Sequence, residues 1–219
     1  AAGFSFNYYK NMTCGEGGAA VTNNDDAVAR MGCMVDCCKF YWTDRETDES
    51  LFVSNGSRAS EIEGAVLNVQ LDRIDPMVNV MRGYKKRILA ALADTGLQPV
   101  KANSLDCEAG THVMFVLPTE EQATKFQQLT GSGIAGKTGR HVYTEWDPIF
   151  DHRGAPYEAM NPYAMEINKD CRMDYTKDMC AASLDILNRT AMFGLHPDRT
   201  EEEIDQMIER LRKAAAEVL

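Results

Sequence analysis

Lys10 is the residue whose type and setting carry the most chemistry. It follows the apolar stretch Phe4-Ser5-Phe6 and stands between Tyr8-Tyr9 and the turn Gly15-Glu16-Gly17-Gly18. A lysine desolvated in such a place has its ammonium form disfavoured, and the neutral amine can add to a carbonyl to form a Schiff base. On an open surface the same side chain is an ordinary cation. Arg58 is the second candidate: it can hold a phosphate or a sugar acid, or simply pair with Glu61. Glu120-Glu121 and Glu201-Glu202-Glu203 read as charges at helix N-termini rather than as catalytic acids. The acidic residues 44–50 read as a solvated loop, since no compact ligand set accompanies them.

The elements that must position these residues follow from periodicity and capping. Phe4, Phe6 and Tyr8 alternate with polar neighbours, which predicts a short strand. Ala19-Ala20-Val21-Thr22 predicts a small buried strand, and Asn23-Asn24-Asp25-Asp26 offers caps for a helix with Val28, Met31 and Met34 on its face. Ser60 and Glu63 fit a capping box opening a helix along Ile62, Val66 and Val69. Pro76 is expected to interrupt or restart that helix, and a second stretch over 77–94 carries Val80, Tyr84, Ile88 and Leu92, with Gly96 as its stop. His112 to Leu117 reads as a strand. Thr119 opens a helix, Gly131, Gly133 and Gly136 make a flexible link, and 147–178 is loop-rich. Thr200 caps a last helix whose face is Ile204, Met207, Ile208 and Leu211. The second half is therefore an α/β or α+β small domain.

Composition bounds the function classes. The chain has 219 residues, 23 Lys+Arg and 33 Asp+Glu, for a formal net charge of −10. That balance argues against a general nucleic-acid or anionic-membrane binder, although one local phosphate pocket remains compatible with it. No apolar run reaches the roughly 18–20 residues that span a bilayer. The first ten residues lack the pattern of a signal peptide, and the expected location is cytoplasmic. The missing initial Met reads as processing, or as a start inside a longer reading frame. Seven Cys (14, 33, 37, 38, 107, 171 and 180) with no CxxC pair, and only four His, argue against zinc and against a disulfide framework.

The stretch from Phe4 through Lys10 to Gly18, completed by Ala19-Ala20-Val21-Thr22-Asn23, resembles the cofactor-lysine segment of the DegT/DnrJ/StrS family of sugar aminotransferases. So does Asn55-Gly56-Ser57-Arg58-Ala59-Ser60-Glu61 with Gly64-Ala65 and Gln70-Leu71, although Asn55 lies three residues before Arg58 where the family has two. His112-Val113-Met114-Phe115-Val116, Gly133-Ile134 before His141, and His196-Pro197 follow the family's small-domain order. The resemblance covers essentially the whole chain but only the C-terminal half of the family's length.

The resemblance implies a fold-type-I, pyridoxal-phosphate-dependent transferase of α/β class. Residues 1–55 would be the end of the large cofactor-binding domain, and 56–219 the interdomain helices and small C-terminal domain. Lys10 would carry the cofactor as an internal aldimine and act as acid and base in the 1,3-proton shift. Ser5, Asn7 and Asn55 would serve cofactor binding, and Arg58, His141 and Tyr143 the substrate, although Val142-Tyr143-Thr144-Glu145-Trp146 departs from the family's H-Y-P wording. The implied reaction moves an amino group from Glu or Gln to a keto-sugar, in a homodimer. The wording around Lys10 and around His141 resembles transaminases of eight-carbon octulosonate sugars. The family's ring-stacking aromatic and pyridinium-pairing Asp lie in the half this chain does not match. The rival expectation is therefore a truncated or split, non-catalytic fragment that dimerises or associates with a separately encoded N-terminal half.

Overall fold

The computed structural model describes residues 1–37 and 52–219; Cys38 and the acidic stretch 44–50 lie outside them. The chain divides into two compact units, Ala1–Met77 and Val78–Leu219.

In the first unit, β1 (Ala2–Ser5) pairs antiparallel with β2 (Gly18–Val21), Ala2 facing Val21 and Ser5 facing Gly18. The predicted alternation stops at Ser5, because Phe6 and Tyr8 belong to the connection and not to the strand. Gly18 is required by this pairing: a Cβ there would lie 2.7 Å from the Phe4 carbonyl oxygen. Both strands are exposed along their length, so β2 is not the buried strand its small apolar residues suggest. Helix α1 (Asp25–Val35) is capped by Asn24, whose side chain accepts from the Ala27 N–H at 2.8 Å. Its buried residue is Cys33, whereas Val28 and Met34 face outward.

Helix α2 (Glu61–Ala91) is one continuous element rather than two. Its N-terminus is the expected capping box: the Glu63 N–H donates to Ser60 Oγ at 3.2 Å, and the Ser60 N–H donates back to the Glu63 carboxylate. Pro76 stands inside the helix and leaves the Asp72 carbonyl without its intrahelical donor, a cost of roughly 3 kcal/mol that the helix absorbs without ending. The boundary between the units falls at the next residue, Met77.

The second unit is built on an antiparallel sheet ordered β3-β4-β6-β5: β3 (Gln98–Pro99), β4 (His112–Val116), β5 (Gly133–Ile134) and β6 (Thr190–Gly194). Only β4 was legible from the sequence. On the inward face Val113 stands opposite Phe193 and Phe115 opposite Ala191, large against small. Helices α3 (Glu120–Thr130) and α6 (Glu201–Val218) supply Ala123, Phe126, Ile204, Met207 and Leu211 to the same core, α2 supplies Ile88, and Leu92 follows just past its end. Phe126 meets Phe193 edge to face at 6.2 Å between centroids, a geometry worth about 1 kcal/mol beyond its buried area. Thr119 and Thr200 cap α3 and α6 as expected. The glycines after α3 are not a flexible link. Gly131 closes the helix at φ 71°, Gly133 lies in β5, and a Cβ on Gly136 would strike Asn188. From Gly136 to residue 180 the chain runs through short 3-10 turns and α4 (Asp147–Phe150) before α5 (Ala181–Asn188).

The loop before β4 is fastened to α2. Arg82 Nε donates to the Glu108 carbonyl at 2.9 Å. The buried Lys85 ammonium lies 2.6 Å from the Glu108 carboxylate, without hydrogen-bond geometry. Gly110 lies at φ +71°, and a Cβ there would stand 2.7 Å from Arg82 N and Cα. Gly110→Ala therefore combines left-handed strain with a clash against helix backbone. It is expected to lower unfolding stability by about 2–4 kcal/mol, read from urea titration, with Gly131→Ala as the comparison that meets no neighbouring atom. His112 is half-buried, and burial, then the Lys85 charge, lowers its pKa from the ordinary 6.5. Protons then bind the unfolded chain better, so His112 weakens the fold as pH drops from 6.5 toward its folded pKa. Thermal melts across that window should show this slope, and His112→Gln should flatten it.

Candidate functional site

Lys10 sits in the connection between β1 and β2, and the backbone bonds of that connection decide where its amine goes. The Phe6 N–H donates to the Gly17 carbonyl at 2.8 Å, and the Cys14 N–H to the Phe6 carbonyl at 3.0 Å, which extends the hairpin past the strands. Inside that ring the Lys10 N–H donates to the Asn7 carbonyl at 3.0 Å and closes a tight turn over 7–10. Thr13 Oγ1 donates to the Phe6 carbonyl at 3.2 Å and fixes the return path. The turn holds Lys10 outward. Its side chain is exposed, as are Tyr8 and Tyr9, whose rings meet edge to face at 5.2 Å. Lys10 has no ion-pair partner among the described residues. The desolvation expected from the neighbouring apolar stretch is therefore not supplied by residues 1–37 and 52–77.

Ser5 and Asn7 share this turn. The Asn7 N–H donates to Ser5 Oγ at 3.4 Å, and the Tyr9 N–H donates to Asn7 Oδ1 at 3.3 Å. Both side chains act as local acceptors that shape the approach to Lys10. The Ser5 hydroxyl hydrogen remains available to an outside acceptor.

Asn55 and Arg58 lie at the entry to α2, and a residue the sequence reading passed over organises them. Asp36, at the C-terminus of α1, is only 2% exposed, and Arg58 Nη2 reaches its Oδ1 at 2.7 Å. Arg58 thus pairs with Asp36 rather than with Glu61. Ser54 Oγ donates to the Cys33 carbonyl at 2.8 Å and caps the same helix end. Gly56 takes φ +68° with no room for a Cβ, which would lie 2.6 Å from Cys37 Sγ. Asn55 stands exposed between these two fastenings. No periodicity marks Asp36: it follows Met34-Val35 as any polar residue ending a helix would.

His141 and Tyr143 belong to the second unit. His141 is exposed, with Nδ1 3.2 Å from the Thr138 carbonyl. The Tyr143 hydroxyl donates to the Lys177 carbonyl at 2.7 Å and accepts from the Cys180 N–H at 3.1 Å. That hydroxyl ties the segment after β5 to the approach to α5. Cys14, Cys33, Cys37, Cys107, Cys171 and Cys180 are free thiols. No helix among the described residues is long and apolar enough to cross a membrane.

The model of the DegT/DnrJ/EryC1/StrS aminotransferase family matches residues 1–212. The chain belongs to that family. Solved structures agree in fold. An aminotransferase from Psychrobacter cryohalolentis superposes with a TM-score of 0.64 at 20% identity, over 99% of this chain and 56% of its own. The aminotransferase TlmJ from Streptoalloteichus hindustanus gives 0.63 at 15% identity, over 99% of this chain and 52% of its own. A GDP-4-keto-6-deoxymannose-3-dehydratase with a trapped PLP-glutamate geminal diamine gives 0.61 at 16% identity, over 95% of this chain and 54% of its own. The chain thus spans about half the length of the structures it matches, and the fold is that of the C-terminal portion of this mixed α/β architecture.

The Asp36–Arg58 pair has a measurable consequence. Removing Arg58 leaves a carboxylate stranded in a buried position, which costs about 3 kcal/mol. Arg58→Ala is expected to lower the urea midpoint, and adding Asp36→Asn is expected to recover most of the loss. A role confined to substrate would leave the midpoint of Arg58→Ala unchanged.

Proposed function

We propose that this chain is the lysine-bearing, C-terminal part of a pyridoxal-phosphate-dependent aminotransferase that moves an amino group from glutamate or glutamine to a keto-sugar. The observation that carries the reading is the family match over residues 1–212, together with Lys10 held outward on a hairpin turn without an ion-pair partner among the described residues. The residues of the turn fit the cofactor in part: an exposed primary amine suits its aldehyde, and the Ser5 hydroxyl suits a phosphate oxygen. When bound, pyridoxal phosphate supplies the electron sink that lets an amino group exchange for a keto oxygen.

The rest is work for side chains of this chain. Lys10 Nζ would hold the cofactor and, when released from it, would act as the acid and base that moves a proton between the substrate carbon and the cofactor within each half-reaction. Ser5 Oγ would donate to a phosphate oxygen, and Asn7 keeps the turn in register through its bond with the Tyr9 N–H. Asn55 is exposed and free to reach the phosphate, while Arg58, His141 and Tyr143 serve the sugar in this reading. The hydrogen bonds already made by Arg58 and Tyr143 favour a part in shaping their surroundings rather than direct contact. The substrate sugar in the finer version is an eight-carbon octulosonate.

A homodimer belongs to the same proposal. It is supported by exposed apolar side chains in the first unit, among them Phe4, Val21, Ile62 and Val69. Such a surface favours further polypeptide, either a second copy or the rest of the family's length.

The purified chain with added pyridoxal phosphate, reduced with borohydride and mapped by peptide mass, is expected to carry the phosphopyridoxyl group on Lys10, and Lys10→Ala to carry none there. Label scattered across surface lysines, with Lys10 no more reactive than the rest, overturns the assignment.

A further inference from the structure

Lys10 stands in the middle of the loop 7–13, which the bond from the Cys14 N–H to the Phe6 carbonyl closes at its base. Closure alone does not make such a loop rigid, since each residue inside it keeps two soft backbone torsions. The first half is fixed by local bonds: the Lys10 N–H reaches the Asn7 carbonyl, and the Tyr9 N–H reaches Asn7 Oδ1. The second half is not fixed in this way. The backbone groups of Asn11 and Met12 bond to none of the described residues. The first fastening after the amine is therefore Thr13.

The Thr13 hydroxyl works in both directions. It donates to the Phe6 carbonyl at 3.2 Å and accepts from the Gly15 N–H at 3.1 Å. The first bond ties the end of the loop to its beginning. The second holds the chain as it enters Gly15, which takes φ +93°, a conformation that favours glycine. The Phe6 carbonyl so receives two donors, Thr13 Oγ1 and the Cys14 N–H, one for each lone pair. Phe6 and Thr13 are half-buried and Lys10 is exposed, so the fastening lies at the base of the loop and the amine at its tip. The Cys14 N–H keeps the base closed without Thr13. Removing the hydroxyl therefore loosens the loop around Lys10 and leaves the hairpin paired.

We propose that Thr13 is a positioning residue for Lys10: its hydroxyl fixes where the amine stands when a carbonyl arrives. An amine already held in one place loses less freedom when it meets an aldehyde. The assignment rests on the reading of Lys10 as the residue that takes the cofactor aldehyde. Side-chain shape separates the hydroxyl from its bulk. Valine matches threonine in shape and can neither donate nor accept, whereas serine does both.

Two measurements on the full chain test the role. Without cofactor, amide hydrogen exchange at Lys10 should be about fivefold faster in Thr13→Val than in the parent, the effect of one neutral hydrogen bond on an opening equilibrium. It should be unchanged in Thr13→Ser. With pyridoxal phosphate and borohydride, the amine adds to the aldehyde, water leaves, and hydride reduces the resulting C=N bond. Peptide mapping then compares label at Lys10 with label at Lys101, an exposed lysine of the second unit in the same sample. That ratio should fall about fivefold in Thr13→Val and return in Thr13→Ser, with melting curves that match the parent. Should Thr13→Val melt early, Thr13→Ala makes the same comparison without the added methyl groups. Selective label at Lys10 in the parent and an unchanged ratio in Thr13→Val overturn the positioning role and leave the reading of Lys10 standing. So does unchanged exchange at Lys10, or a loss that Thr13→Ser fails to restore. A parent in which Lys10 is labelled no more than Lys101 overturns both.

Discussion

The pairing of β4 with β6 is the constraint on which the second unit depends. Five residue pairs, from His112↔Gly194 to Val116↔Thr190, set which side chains face the helices. Slipping this register by one residue would turn Val113 and Phe115 away from α3 and α6 and bring His112 and Met114 inward. The pairing is continued at both ends by other bonds. The Leu117 N–H donates to the Arg189 carbonyl at 2.8 Å, and the Leu195 N–H to the Thr111 carbonyl at 2.7 Å. Arg189 Nη1 also donates to the Leu117 carbonyl, so a side chain that reads as a surface charge closes the sheet. Two edge strands of two residues each could not hold such a sheet alone, and the core residues of α2, α3 and α6 supply what they lack.

The first unit follows a different logic. It has one antiparallel hairpin, one capped helix and the first part of α2, and its buried groups are few: Cys33 and Asp36 are the fully enclosed ones among its described residues. Its order comes from specific bonds at the C-terminus of α1, where Ser54, Asp36 and Arg58 converge, and from the backbone bonds that carry the hairpin past its strands. A buried carboxylate is an expensive anchor that stabilises only when its partner is present. It does fix the entry into α2 in one place, and Asn55 stands between its two ends.

What was legible in the sequence was what local chemistry dictates. Asn24, Ser60, Thr119 and Thr200 each announced a helix start, because an N-cap acts on the next three residues and needs no tertiary partner. The family wording around Lys10 identified both the fold class and the family. What was not legible depended on distant partners. Strand β6 is Thr-Ala-Met-Phe-Gly, which has no alternation of its own and becomes a strand because β4 and β5 lie on either side. Pro76 announced a break that the rest of α2 overrode. The stripe Ile62, Val66 and Val69 has helical spacing and forms a helix, yet it stays exposed, Ile62 by 78%. Periodicity therefore reported a face and not its burial. In the candidate site, Lys10 could be named from the sequence, but Asp36 could not, since only the fold brings it to Arg58.

The exposure of Lys10 carries the argument one step further. An amine that is to add to a carbonyl near neutral pH must spend part of its time uncharged, and burial or a nearby cation is what arranges that. The strands of the hairpin are open on both sides, and the turn bonds direct the side chain outward. What the hairpin supplies is position, a fixed backbone from which the amine projects at one point beside a hydroxyl. In the proposed enzyme, position and environment are therefore separate contributions. This chain provides the first, and the second must come from polypeptide or cofactor laid against the hairpin.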